Sequence, residues 1–362
     1  MINFRILSIY LFRLYCGYFI SILLLLIGVL ILSNIFDLLQ KFKDIYIPTL
    51  SFWKLVLYKI PYLVNELASL LSFFAMLLFL RRLTKHNELI TILCNGIHIW
   101  RVIAVPFFAA IILGIILITI CNPIGTFGLH KYESLKAKLF KKPSTNLSIS
   151  KSGLLFLENY QGNKRIIQAG SIDVVNNKLN KIIILFLDNE NNFIKRIDAQ
   201  YGVLIDNNFT LTSVKFSDTN SFKKYEHFTV PTNLSISNLL NSFISPEMIA
   251  IWDLPDTIKQ LVKFGLPITN YQIYFYKQLF KPIIMATTVI LAACFFSLRQ
   301  RDSSQEKILV IGLFLGFIIY SLLEILFKIL AYNATPPFLA ILLPNICILF
   351  FSNFVIMHSK RI

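Results

Sequence analysis

Three long stretches of this sequence contain no charged residue: residues 14–36, 102–121 and 336–357. The hydrocarbon core of a bilayer is about 30 Å thick, and a helix crosses it with roughly 20 mostly apolar residues. Each stretch reaches this length, so we predict a membrane span in each of them. The first stretch is predicted to be a retained anchor, because its apolar run exceeds the ~7–15 residues of a cleaved signal peptide.

Three further apolar runs carry one or two charged residues each. They are residues 60–80 with Glu66, residues 278–298 with Lys281, and residues 308–331 with Glu324 and Lys328. We predict spans here too, because the apolar sequence around the charges is long, and we assign no role to Glu66. The prediction is a polytopic α-helical membrane protein with six transmembrane helices, three on each side of a soluble domain.

The net charge of +16 does not indicate a nucleic-acid partner, because the basic residues cluster at the ends of the predicted spans. Cytoplasmic loops of membrane proteins carry an excess of Lys and Arg. This rule assigns the following residues to the cytoplasm: Arg5, Arg13, Arg81, Arg82, Lys85, Arg101, Arg299, Arg301, Lys307, Lys360 and Arg361. We therefore expect both termini in the cytoplasm and the middle domain on the opposite side.

The middle of the chain alternates short β-branched and aromatic runs with polar turns, a pattern typical of antiparallel sheets. The predicted strands are residues 153–159, 165–169, 181–188, 193–205, 208–217 and 224–230. Residues 245–277 are predicted to be helical. The predicted organisation is an amphipathic N-terminal helix and three spans over 1–121, an inserted periplasmic all-β, jelly-roll-like domain with helical connectors over 122–277, and three spans over 278–362.

The sequence lacks the motifs that mark nucleotide binding or catalysis. There is no GxxxxGK[ST] phosphate loop, no HExxH and no GxSxG. The five cysteines form no CxxC pair, and no Cys/His cluster indicates a metal. We therefore expect a protein that is not an enzyme and that binds no cofactor.

Four groups of residues, taken in order, resemble the bacterial lipopolysaccharide export permeases of the LptF/LptG family. They are Asp37, Leu39 and Lys41; Arg82-Leu83, Glu88-Leu89 and Gly96-Ile97; Tyr271-Gln272, Lys277 and Lys281-Pro282; and Gly316-Phe317, Tyr320, Pro336-Pro337 and Leu343-Pro344-Asn345. The resemblance covers essentially the whole chain, and the residues around the last span favour the LptG branch. The sequence departs from the family at Asn34, where related chains can have lysine, and at Ser69, where a proline is expected. It also departs at Glu324 and Lys328 in span five, where the family usually has uncharged residues.

The resemblance implies a function. Such a permease subunit pairs with a sister LptF-type subunit and with a cytoplasmic ABC ATPase dimer in the bacterial inner membrane. Together they extract lipopolysaccharide and pass it to periplasmic bridge proteins of the LptC/LptA type. Two rival functions stay open: the chain is the LptF-type sister itself, or it is a membrane scaffold that anchors periplasmic assembly proteins without transport.

The cytoplasmic loop 81–101 is the predicted coupling element. By the resemblance it docks on the ATPase, with Arg82 leading into it, Glu88 as a polar contact, Leu89 and Ile92 as apolar anchors, and Gly96 ending the helix. The alternative is an ordinary connecting loop whose arginines follow the topology rule.

Spans one and five are expected to line the lipid cavity. The candidate substrate-binding residues are Asn34, Lys41, Lys43, Phe317, Tyr320, Glu324 and Lys328. Lys41 and Lys43 are predicted to lie at the depth of lipid A phosphates, although both can instead be solvated beside Asp37 and Asp44. Glu324 and Lys328 share one helix face at i,i+4 spacing, so they either neutralise each other or contact the lipid.

Overall fold

The structure is a computed structural model of the whole chain. It describes residues 4–41, 48–139, 148–150, 153–160, 163–173, 178–187, 193–205, 208–218, 221–232, 244–298, 305–332 and 336–358. The chain divides into two compact units. The helical unit comprises Met1–Leu139, Ala250–Trp252 and Tyr271–Ile362, and the sheet unit comprises Phe140–Ile249 and Asp253–Asn270. The domain boundaries predicted at residues 121 and 277 stay predictions.

The helices of the N-terminal half follow one another along its apolar runs. They are α1 (Phe4–Lys41), α2 (Thr49–Glu66), α3 (Ala68–Lys85), α4 (Glu88–Cys94), α5 (Ile99–Ile116), a π-helical turn (Leu117–Cys121) and α6 (Asn122–Leu139). The C-terminal half contains α7 (Leu254–Lys263), α8 (Thr269–Leu279), α9 (Lys281–Leu298), α10 (Gln305–Tyr332) and α11 (Pro337–His358), after a short 3-10 turn at Pro246–Met248.

Four of the described helical segments are long and apolar enough to cross a membrane: Arg5–Lys41, Ile99–Leu139, Val310–Leu330 and Pro337–His358. Two bent pairs, α2 with α3 and α8 with α9, raise the number to six if each pair is one span. The prediction of several apolar helices is confirmed, whereas the count of six spans stays a prediction.

The core of the helical unit is formed by α1, α3, α5 and α9, and it is held by close contacts as well as apolar packing. The hydroxyl groups of Tyr15 and Ser72 lie 2.8 Å apart, and both residues are buried. Gly114 of α5 faces the backbone of Pro282 so closely that a side chain there would collide with it. Gly128 of α6 approaches the Tyr58 carbonyl of α2 in the same way.

The sheet unit contains one antiparallel sheet in which each strand pairs with the next one in the chain. The strands are β1 (Ser148–Ser150), β2 (Gly153–Tyr160), β3 (Asn163–Asp173), β4 (Lys178–Leu187), β5 (Phe193–Ile205), β6 (Asn208–Asp218) and β7 (Ser221–Pro231). The six predicted strands are confirmed, and the short β1 is an addition. The order is that of a meander, so the predicted jelly roll, which requires Greek-key connections, is not confirmed.

Alternation of buried and exposed residues gives the sheet one apolar face. Leu179, Ile182 and Ile184 of β4 are almost completely buried, and Ile197 of β5 and Leu211 of β6 are buried with them. The end of α7 closes against β3, because the Ile172 backbone N–H donates to the Phe264 carbonyl at 2.8 Å. The next residue, Gly265, has a φ of +72°, a conformation that glycine adopts without strain.

Candidate functional site

Two helix pairs of the helical unit are sharply bent, and buried charges lie at the bends. The α2–α3 pair bends by 66° at Leu67, and the α8–α9 pair bends by 61° at Phe280. Pro282 explains the second break, because proline lacks the N–H that would continue the α8 hydrogen-bond ladder. No proline lies at the first break, where Ser69 replaces the proline that the family resemblance led us to expect. A helix end leaves backbone carbonyls without intrahelical donors, and inside a membrane these groups need other partners.

Lys281 supplies a donor to the end of α2. Its ammonium group donates to the Asn65 carbonyl at 2.7 Å, to Asn65 Oδ1 at 2.9 Å and to Gln278 Oε1 at 3.0 Å. The lysine is 3% exposed, so three acceptors surround a fully desolvated cation. The next free carbonyl, that of Glu66, accepts a hydrogen bond from the Tyr320 hydroxyl at 3.3 Å. The break in α2–α3 is thus closed by side chains from α9 and α10.

Lys277 lies between two carboxylates. Its ammonium forms an ion pair with Glu66, the last residue of α2. On its other side it pairs with Glu324 of α10 at 2.9 Å. All three side chains are largely buried, so their attraction is screened less than that of a surface pair. Lys277 therefore joins α8 to both the bent α2–α3 pair and α10.

These groups line one end of a partly open recess in the helical unit. Its polar end is formed by Glu66, Lys277, Lys281, Tyr320 and Glu324. The remaining wall is mostly apolar and is formed by Leu70, Phe73, Ile284, Leu291, Ile319, Leu323 and Phe327, with Gly316, Ser69 and Thr288. Such a recess has one apolar part and one charged end, as a site for an amphiphilic molecule requires.

Of the predicted substrate residues, Tyr320 and Glu324 line this recess. Phe317 and Lys328 are exposed on α10, and Lys41 is the exposed last residue of α1. Asn34 is buried in α1, where its Nδ2 has no hydrogen-bond partner among the described residues. Lys43 lies outside the described residues.

The partner of Glu324 differs from the one that helical spacing suggested. The i,i+4 spacing made Lys328 a candidate, but Glu324 is paired with Lys277, 47 residues earlier in the chain. The reason is desolvation: Lys277 is largely buried beside Glu324, whereas Lys328 is exposed. Mutual neutralisation within α10 is therefore not the arrangement in this structure.

The predicted coupling element forms the short helix α4. Glu88 accepts a hydrogen bond from the Tyr10 hydroxyl at 2.7 Å and lies 3.3 Å from the Arg82 guanidinium. Gly96 follows the end of the helix with a φ of +79°, as a helix stop requires. Leu89 and Ile92 are buried in the core of this chain. Their role as anchors for a partner stays a prediction, and Ile90, 56% exposed, is the apolar side chain of α4 that faces outward.

Sequence reasoning missed most of the charged cluster. It gave Glu66 no role and treated Lys277 and Lys281 only as marks of the family. The available signal was their position: a charged residue inside an apolar run has a partner or a function. Pairing the charges would have required knowledge of which helices touch.

Within the described ranges, no group of three His, Cys, Asp or Glu residues is placed to hold a metal ion.

The fold and this cluster together define a class: a polytopic membrane protein with an antiparallel sheet inserted between its helices and a buried ionic cluster where two helix pairs bend. The chain belongs to the family of lipopolysaccharide export system permeases LptF/LptG, whose model matches residues 9–358.

Individual relatives agree with this membership. The chain is 22% identical over 348 residues to the lipopolysaccharide export system permease protein LptG of Haemophilus influenzae, covering 91% of this chain and 92% of the relative. It is 25% identical over 129 residues to LptG of Escherichia coli strain K12, covering 36% of each chain. It is thus a permease of the lipopolysaccharide export system that is homologous to LptG.

Proposed function

We propose that this chain is the membrane subunit that receives lipopolysaccharide from the inner membrane and passes it to periplasmic bridge proteins, working beside a sister permease. The observation that carries the proposal is the recess in the helical unit. It combines an apolar wall with a charged end, as the acyl chains and the phosphorylated sugars of lipopolysaccharide would need. The family membership supports the same substrate.

The orientation belongs to the proposal. We infer six spans, each bent pair counting as one, with both termini in the cytoplasm and the sheet unit in the periplasm. The clustering of Lys and Arg in the loops assigned to the cytoplasm supports this topology. In that orientation α4 faces the cytoplasm and Lys41 lies at the outer surface of the membrane.

The chain is proposed to be non-catalytic, with ATP hydrolysis in a separate cytoplasmic ATPase dimer. The missing phosphate loop supports this division of labour. The coupling element would be α4, which Tyr10 and Arg82 hold through Glu88. Because Leu89 and Ile92 pack inward, Ile90 is the side chain that would first meet a groove on the ATPase.

Lipid contacts are proposed along α1 and α10. Phe317 exposes its ring on α10, and Lys41 ends α1 with an exposed ammonium. An ammonium is a good point-charge partner for phosphate. Asp37 lies one turn before Lys41, but surface pairs of this kind contribute only about 0–1 kcal/mol, so a phosphate can compete for the lysine.

Photo-crosslinking tests the proposal. A crosslinking amino acid is placed at Asn34, Lys41 or Phe317, with Ile112, exposed on α5, as the control position. The three test positions are expected to capture lipopolysaccharide in cells and Ile112 is not. If none captures it while the protein remains in the membrane, the proposed lipid path is wrong for this subunit.

Charge reversal tests the consequence at Lys41. We expect Lys41→Glu to lower lipopolysaccharide export by replacing attraction with repulsion, and Lys41→Arg to retain most of it. Export is measured as lipopolysaccharide reaching the outer membrane. Equal export by both variants would remove Lys41 from the lipid path.

A further inference from the structure

Glu324 has two lysines within reach, on two different helices. Lys277 of α8 binds it in this structure, at 2.9 Å. Lys328 lies one turn further along α10, and an acid four residues before a lysine is the favourable order for pairing along a helix. Glu324 can therefore exchange one partner for the other without losing a cation.

The charge balance at Lys277 makes this exchange feasible. One ammonium faces two carboxylates, those of Glu66 and Glu324. The second buried lysine, Lys281, is already engaged with Asn65 and Gln278. If Glu324 leaves, Lys277 still has Glu66 as a partner, so no lone cation remains in the membrane interior. Lys277 thus keeps a carboxylate partner when the position of Glu324 is vacated.

Much of the helix that carries Glu324 is exposed on this chain. Only 17% of the apolar window of α10 is buried within the chain. Where α10 approaches α3, Gly312 lies against Leu77, and Gly316 lies so close to Phe73 that a Cβ there would collide with the ring. The ion pair to Lys277 is therefore a principal polar attachment of the outer part of α10, together with the hydrogen bond of Tyr320 to Glu66.

We propose that Lys277 is a binding site for an anionic group of the transported lipid, and that Glu324 occupies this site until it transfers to Lys328. The inference rests on the proposed function and names a contact within the same recess. The ligand class is a lipid-borne phosphate, which carries more charge than a carboxylate and forms strong charge-assisted hydrogen bonds with an ammonium in a desolvated site. When phosphate replaces Glu324, α10 loses its attachment to α8 and can move to admit the lipid.

Binding measurements on four proteins test this exchange: the wild type, Glu324→Gln, Lys328→Gln and the double variant. Each is the full chain, in the complex with which it purifies, placed in phosphatidylcholine nanodiscs. The probes are fluorescent lipopolysaccharide with both lipid A phosphates and the same lipid after phosphatase treatment. Glu324→Gln is isosteric and leaves Lys277 paired with Glu66, and Lys328 is exposed, so both variants are expected to fold, as a thermal unfolding curve checks.

Glu324→Gln removes the internal competitor. We expect it to tighten binding of the phosphorylated lipid by at least about fivefold, the lower end of typical coupling between sites, and to leave the dephosphorylated lipid unchanged. Lys328→Gln removes the alternative partner and should weaken binding of the phosphorylated lipid. That defect should vanish in the double variant, because Glu324 is no longer there to be released.

Three results would overturn the proposal. The first is a Lys328→Gln defect that persists in the double variant, which would make Lys328 itself the lipid contact. The second is an equal change in the binding of both lipids, which would show that the site does not recognise the phosphate groups. The third is competition by phosphatidylglycerol added to the nanodiscs, which would assign the site to a bulk phospholipid. If the wild type binds neither probe, the proposed function is refuted as well. If the wild type binds and the variants bind with the same affinity, this inference alone is refuted.

Discussion

Replacing Lys281 with methionine is predicted to destabilise the helical unit strongly. The substitution removes a buried ammonium that donates three hydrogen bonds at 2.7–3.0 Å. It leaves the Asn65 carbonyl at the end of α2 without this donor, and it leaves Gln278 Oε1 with only the bond from Asn65. Methionine retains most of the apolar stem, so the change isolates the charge and its hydrogen bonds.

The magnitude follows from these contacts. Hydrogen bonds to charged groups contribute about 1.5–3 kcal/mol each. The sum for three such bonds exceeds the expected loss, because the variant no longer has to desolvate the lysine. Removing one partner from a buried ionic arrangement costs about 3–5 kcal/mol. We therefore expect a loss of about 3–5 kcal/mol, which corresponds to roughly two to four orders of magnitude in the unfolding equilibrium constant.

The assay is reversible unfolding of the purified protein in mixed micelles with increasing sodium dodecyl sulfate. Lys54→Met is the matched control, because Lys54 is an exposed lysine on α2 whose loss should change stability by about 0–1 kcal/mol. Coincident unfolding curves for the two variants would refute the reasoning, because Lys281 would then contribute no more than a surface lysine.

Three other predictions concern packing, coupling and topology. Gly128→Ala should lower stability by about 1–3 kcal/mol, because its Cβ meets the Tyr58 carbonyl, whereas Gly28→Ala, with open space around it, should not; the same unfolding assay compares them. Ile90→Asp should reduce co-purification of the ATPase with no change in the unfolding curve, and normal recovery would exclude α4 as the docking surface. A cysteine replacing Asn191 should react with an impermeant thiol reagent from outside, and one replacing Gln300 should not; the reverse pattern would invert the topology.

The spans could be predicted because lipid imposes a simple requirement, a long apolar run, that is visible in the sequence. Residues 14–36 lie within α1, which extends beyond them at both ends. The bends were not visible in the same way. Pro282 marks one bend, but no proline lies at the other, where α2 ends at Glu66. The last carbonyls of α2 accept hydrogen bonds from residues on helices more than two hundred residues later in the chain.

The ionic partners could not be predicted because sequence spacing reports only neighbours on the same helix. Glu324 and Lys328 satisfied the i,i+4 rule, yet the observed partner of Glu324 is Lys277. The partner of Lys277 on its other side, Glu66, is 211 residues away. The sheet is the opposite case: each strand pairs with the next one in the chain, so the turn residues that locate the strands also mark the hairpins that pair them.

The hydrogen bonds between the two bent helix pairs also set an order of assembly. Asn65 and Ser72 of the first half bond to Gln278 and to the Met285 carbonyl, each 213 residues later. At about 5–20 residues per second, the ribosome makes these partners some 10 to 40 seconds after the first half has left it. During that interval the polar atoms of α2 and α3 have no partner from α8 or α9, while the whole intervening β domain is being synthesised. The N-terminal helices are therefore an unfinished membrane protein that the insertion machinery has to shelter until the C-terminal helices have been made.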